Sequence, residues 1–230
     1  MSLNFTNPSD IAFSIGAVAG VGTSPFTMLA LWRPANNFTS FITALGSGTT
    51  RRAMLLDTAH LFGNNDFSSG FQTLAPVTDW WWLGLSLDAA GDHYQGHVQD
   101  YSSGGAWAHG EAAGAGAQAF TAVSDTIQLG TGVTPVANGD LAVAAIWTSF
   151  LTPAQIEAAA TAHLSDLMAA HPGWAVAAPL ANGLAALQDL TGNGGNETGR
   201  TAGITAVADP PSYNFTVGGT PVLMRRAGRR

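Results

Sequence analysis

The sequence contains no cysteine and no lysine, and only 10% of its residues are charged. Without cysteine there can be no disulfide scaffold, thiolate metal site, thiol nucleophile or redox pair, so stability must come from packing. Glutamate is scarce as well, with Glu111, Glu157 and Glu197 the only three. What is present is an apolar chain of 230 residues, 46% of them hydrophobic. That is enough to fill one large core and too apolar for a disordered chain.

The formal charge of −7 hides an asymmetry, because Arg225, Arg226, Arg229 and Arg230 all fall within the last six residues. The body of the chain is therefore strongly acidic. An acidic body repels a phosphate backbone, which sets nucleic-acid binding aside for all but the tail. The apolar stretch from Ile11 to Gly22 is too short to cross a bilayer. With Asp10 and no positive charge before it, it also lacks the pattern of a secretory signal. The expectation is a chain made in the cytoplasm without a signal peptide and without membrane insertion.

Short alternating runs divided by Gly, Asn, Asp and Pro dominate the first two thirds, the pattern of antiparallel strands. They run over 26–32, 40–45, 53–57, 80–88, 94–100, 126–129 and 141–148, with turn signals at 46–48, 63–66, 90–92 and 138–140. One helix is expected over 152–170. Thr152 can cap it, Pro153 fits its first turn, Gln155 can return the cap's hydrogen bond, and Leu151 and Ile156 form a hydrophobic staple. The Gly/Ala-rich stretch 104–119 reads as a loop, and the turn-rich pieces after Trp174 as sources of edge strands.

Three blocks carry a resemblance: Phe26-Thr-Met-Leu-Ala-Leu-Trp-Arg-Pro34; Trp82-Leu-Gly-Leu-Ser-Leu-Asp88 with its Gly91-Asp92 turn; and Ile127-Gln-Leu-Gly130 followed by Asn138-Gly-Asp140 and Leu151-Thr-Pro-Ala-Gln-Ile156. In this order they resemble the laminin G-like, concanavalin A-like jelly rolls of lectins, glycosidases, adhesins and bacteriophage structural proteins. The resemblance implies an all-β, antiparallel jelly-roll β-sandwich with one α-helix in the C-terminal half. The domain would span 1–217, leaving 218–230 as a basic arm. An Asp-x-Thr-Gly-Asn piece that commonly precedes the first strand stands here at 189–193. The C-terminal segment should therefore fold back beside the N-terminal strands.

Glycosidases of this kind use paired carboxylates, and no two acids alternate along any of these strands, so no catalytic residue is expected. Ser86 lies mid-strand and reads as a small packing group. His93 and His97 on one strand would be roughly 13 Å apart, too far to share an ion, and read as exposed. No metal is expected. The weak calcium candidates are Asp189, Asn193 and Asn196, with Asn64, Asn65 and Asp66 a poorer set, and turn chemistry explains both.

Alternation sends Trp81, Leu83, Leu85 and Leu87 to one face and Trp80, Trp82, Gly84 and Ser86 to the other. On that second face Trp80 and Trp82 either stack a sugar ring or pack beneath a covering loop. Two functional readings follow. One is a non-enzymatic structural virion protein of a phage, a capsid decoration, minor capsid or tail component. Arg225, Arg226, Arg229 and Arg230 would anchor it to other virion proteins or to copies of itself. The alternative is a carbohydrate-binding, lectin-like adhesion module that recognises host-surface glycans, with Trp80 and Trp82 as its contact residues.

Overall fold

The structure, a computed structural model, describes residues 2–5, 13–23, 25–35, 40–47, 50–57, 60–63, 70–73, 79–88, 94–111, 125–130, 139–161, 173–177, 197–200, 204–207, 216–217 and 220–221. Its strands are β1 (Ser2–Phe5), β2 (Phe13–Ile15), β3 (Phe26–Pro34), β4 (Ser40–Ser47), β5 (Thr50–Asp57), β6 (His60–Gly63), β7 (Gly70–Thr73), β8 (Trp81–Leu87), β9 (Tyr94–Asp100), β10 (Ala108–Glu111), β11 (Ile127–Leu129) and β12 (Gly139–Trp147). Helix α1 (Pro153–Thr161) follows. The chain then forms β13 (Gly173–Ala177), β14 (Glu197–Arg200), β15 (Ile204–Val207) and the small hairpin β16 (Thr216–Val217) with β17 (Thr220–Pro221).

Strands β1–β15 build two antiparallel sheets. The larger runs β10-β9-β8-β3-β12-β1-β15, with β13 also paired to β12, and the smaller runs β14-β2-β11-β4-β5-β6-β7. As the turn-rich C-terminal sequence implies, β14 and β15 are edge strands, and they lie against the N-terminal strands β2 and β1. Among the described residues the fold is an all-β antiparallel sandwich with one helix. Among the described residues no helix is long and apolar enough to cross a membrane.

Period-two alternation puts Phe26, Met28, Ala30 and Trp32 of β3 on the face shared with Trp81, Leu83, Leu85 and Leu87 of β8. Ile15, Ile127 and Leu129 of the smaller sheet meet them there, forming the inter-sheet core. The opposite face of the larger sheet is buried too. Leu29, Leu31, Trp82, Val143, Ala145 and Trp147 pack with Leu151, Ile156 and Ala159 from α1 and the residues before it. Strands covered on both sides need continuous apolar sequence, and β3, β8 and β12 have it.

The helix starts as the sequence dictates. The Thr152 amide donates to Gln155 Oε1 at 2.8 Å, the Gln155 amide reaches back to Thr152 Oγ1 at 3.4 Å, and Leu151 and Ile156 are both fully buried. The described helix covers 153–161, and the remainder of the expected span, 162–170, lies outside the described residues.

Two blocks that look independent in sequence are physical neighbours. Gly139 pairs with Pro34 and Asp140 with Arg33 across β12 and β3. A Cβ on Gly139 would collide with the Arg33 carbonyl oxygen and sit 2.6 Å from Trp32 Cζ2, so the indole can pack there only over glycine. Asp140, almost wholly buried, accepts from Asn4 Nδ2 at 2.6 Å and is ion-paired with the Arg33 guanidinium. A buried carboxylate requires such partners.

The stretch read as a loop over 104–119 departs from expectation, since β10 occupies Ala108–Glu111 and pairs with β9. Its Ala-His-Gly-Glu sequence has no β-branched or large apolar residue, so nothing local marks it as a strand. The strand follows instead from pairing with β9. Residues 112–119 lie outside the described set.

Candidate functional site

The outer face of the larger sheet carries a line of polar side chains in apolar surroundings. Thr27 stands opposite Ser86, Gly84 opposite His97, and His97 opposite His109. Ser86 Oγ and His97 Nε2 are 3.0 Å apart, His97 Nδ1 and His109 Nδ1 are 2.8 Å apart, and His109 Nε2 lies 3.0 Å from Glu157 Oε1 on α1. At the inner end, Thr27 Oγ1 accepts from the Leu151 amide at 2.9 Å and lies 3.2 Å from Ser86 Oγ and 2.9 Å from the Ser149 carbonyl. Ser86 Oγ is also 3.2 Å from the Leu151 carbonyl. The chain thus runs from the residues ahead of the helix, across four strands, to the helix's second turn.

Burial grades along this line. Ser86 and His97 are fully buried, the His109 side chain is 20% exposed, and that of Glu157 is 48% exposed. Burial pushes the His97 imidazole down to about 3, with the nearby His109 as a second cause, so His97 is neutral at ordinary pH. The expectation that His97 is an exposed strand histidine is therefore corrected. Gly84 opposite it leaves the space that its ring occupies, and its nitrogens find partners on both sides. His93, Arg225, Arg226, Arg229, Arg230, Asp189, Asn193, Asn196, Asn64, Asn65 and Asp66 lie outside the described residues.

Serine, histidine and carboxylate in series invite comparison with a nucleophile and its base. Ser86 cannot act as one in this geometry. Its hydroxyl is sealed among Thr27, His97 and the Leu151 carbonyl, with no surface through which a substrate could approach. Its role is to satisfy buried polar partners.

Trp80 and Trp82 are 3% and 1% exposed. The Arg33 guanidinium lies 5.1 Å from the centre of the Trp80 ring, and Tyr101 meets Trp82 edge-on at 6.5 Å. The exposed stacking platform considered for this pair is thus not what the structure builds. The apolar layer beneath α1 and the Tyr101–Trp107 segment has claimed both rings, which is the packing alternative.

An aromatic surface does exist nearby, on a residue that sequence reasoning passed over. Trp107 is half-buried, lies parallel to the His109 ring with centroids 6.0 Å apart, and packs on the same apolar layer. Trp107 and His109 are two apart, on one face of the segment entering β10. That spacing is the one sequence signal, and the surrounding Gly and Ala mask it. The preceding turn is held by Asp100, which accepts from the Ser103 and Gly105 amides through side chain and backbone, and by Gly104 at φ +68°. Among the described residues no group of three or more His, Asp or Glu side chains could hold a metal ion.

No protein-family model and no curated protein matches the sequence. Solved structures do. A Bacteroides ovatus protein, named by inference as a carbohydrate-binding protein, superposes with a TM-score of 0.59 at 16% identity over 97% of this chain. This chain spans only 61% of that one. Trypanosoma rangeli sialidase gives a TM-score of 0.48 at 13% identity over 69% of this chain and 27% of its own, and the Ruminococcus gnavus IT-sialidase CBM40 gives 0.42 at 11% over 66% and 96%. The chain has an antiparallel jelly-roll β-sandwich fold, and what it shares with the Bacteroides ovatus structure at this identity is the fold.

Proposed function

We propose that this chain is a non-enzymatic carbohydrate-binding module whose contact surface lies on the outer face of the larger sheet, around Trp107, His109 and Glu157. The observation that carries the reading is the half-buried Trp107 indole, held parallel to the His109 ring beside a half-exposed carboxylate. A sugar presents a C–H face that packs on an aromatic plane and hydroxyls that need hydrogen-bonding groups at its rim. Strand pairing and α1 hold these groups in place, so little ordering is left for the moment of binding. The reading keeps the glycan partner expected from sequence but moves its contact residues from Trp80 and Trp82 to Trp107.

Within this proposal the domain is laminin G-like over 1–217 and 218–230 form the basic arm. A place in a phage virion has no described residue in its favour. The test is a screen of the intact chain against immobilised glycans, followed by calorimetry on the best binder. Trp107→Ala should weaken binding by about tenfold or more, the equivalent of about 1.4 kcal/mol. Undiminished binding by Trp107→Ala, or no glycan bound at all, would overturn the reading.

A further inference from the structure

Counting protons along the chain from Leu151 to Glu157 yields two arrangements. A carboxylate only accepts, so His109 donates to Glu157 from Nε2 in both. The 2.8 Å gap between the two Nδ1 atoms holds a single proton. When both imidazoles are neutral, His109 Nδ1 is bare and His97 donates to it. His97 Nε2 is then bare as well, and the Ser86 hydroxyl must donate to it. That leaves Ser86 without a proton for the Leu151 carbonyl.

One proton added at His109 changes every step. His109 now carries N–H at both positions and donates from Nδ1 to His97. His97 gives up its Nδ1 proton, carries one at Nε2 instead and donates it to Ser86, so that the two rings together gain one proton, from two N–H groups to three, and the Ser86 hydroxyl turns to the Leu151 carbonyl. Thr27 no longer has to supply Ser86 and is free to donate to the Ser149 carbonyl. No atom moves far, and each bond reuses a contact already within 3.2 Å.

We infer that proton uptake by His109 reverses the direction of this buried hydrogen-bond chain, switching the His97 tautomer and adding a bond that fastens the start of α1 to the sheet. His97 is suited to transmit rather than absorb the proton, because its burial keeps it neutral. Among the described residues, the charged or titratable groups on the elements around His109 are Glu157 on α1, which bonds to it, His97 across from it on β9, Glu111 two residues along β10, and Tyr101 just beyond the end of β9. The opposite sheet's β6 carries His60, but that sheet packs on the inner face. The inference stands on the hydrogen-bond chain and holds whether or not a glycan binds.

The test is nitrogen NMR of the histidine rings in the intact chain between about pH 8 and about pH 5. His97 should pass from the Nδ1–H to the Nε2–H form in step with proton uptake by His109. In His109→Phe, whose ring can still lie against Trp107, His97 should keep one tautomer throughout. A single His97 tautomer at both ends of the wild-type titration would overturn the proposal, as would an unchanged switch in His109→Phe. Glycan binding is read separately, so failure here leaves the binding surface standing.

Discussion

His97 lies across Gly84. The two residues pair directly between β9 and β8, and a Cβ at position 84 would come within 3.3 Å of His97 Cβ and 3.4 Å of its Cδ2 and of Leu29 Cδ1. The missing side chain on one strand is the space that the imidazole of the next strand fills. That lets Nε2 reach Ser86, two residues further along β8.

Gly84→Ala should therefore destabilise the fold by about 1–3 kcal/mol, although alanine in a strand is ordinarily the better residue. His97 is bonded at both nitrogens and cannot step aside. Gly139→Ala should be worse, because the colliding groups are the Arg33 backbone and the Trp32 ring. Denaturant midpoints of the two variants should fall in that order, and a Gly84→Ala protein as stable as wild type would show that the packing gives way.

The pH dependence of stability has a definite sign. An unfolded histidine ionises near 6.5, whereas folded His97 is held down to about 3 by burial and by His109. Between these values the unfolded chain binds more protons. The contribution of His97 is thus complete above about 6.5 and is lost as pH falls toward about 3, at a slope of up to about 1.4 kcal/mol per pH unit. His97→Leu should flatten that slope in denaturant titrations repeated across the window, whatever it costs in absolute stability.

Trp82→Ala should cost about 3–5 kcal/mol, the usual loss for a large buried aromatic. The reading is the thermal midpoint. A nearly unchanged midpoint would mean that the indole is exposed after all and would return Trp82 to the list of sugar contacts.

Removing residues 225–230 should leave the melting temperature of the sandwich unchanged while abolishing any salt-sensitive association with an acidic partner. Association that survives both the deletion and added salt would place the attachment surface on the sandwich itself.

Much of this architecture was legible in the sequence. The alternation in 80–87 gave the two faces of β8 with the right residues on each, because one shifted register would have turned every side chain over. The cap at Thr152 and Gln155 is local chemistry and could be read without the fold. The return of the C-terminal segment to β1 and β2 was visible through the displaced Asp-x-Thr-Gly-Asn piece. The polar chain was not legible, since Thr27, Ser86, His97, His109 and Glu157 come from five elements and meet only through pairing register. Nor was the fate of Trp80 and Trp82, where alternation says which face a ring takes but not what covers it.

The pairing of β1 with β15 sets an order on synthesis. Leu3 lies opposite Ala206, so β1 must wait for roughly 200 further residues, about 10–40 s at common elongation rates, before this partner is made. Its other neighbour, β12, arrives earlier but is itself far along the chain. Throughout that interval the edge of β1 that β15 will cover has open backbone donors and acceptors, through which it can pair with another copy. Slowing translation late in the message should lengthen that window and raise aggregation, while the finished fold would be unaltered.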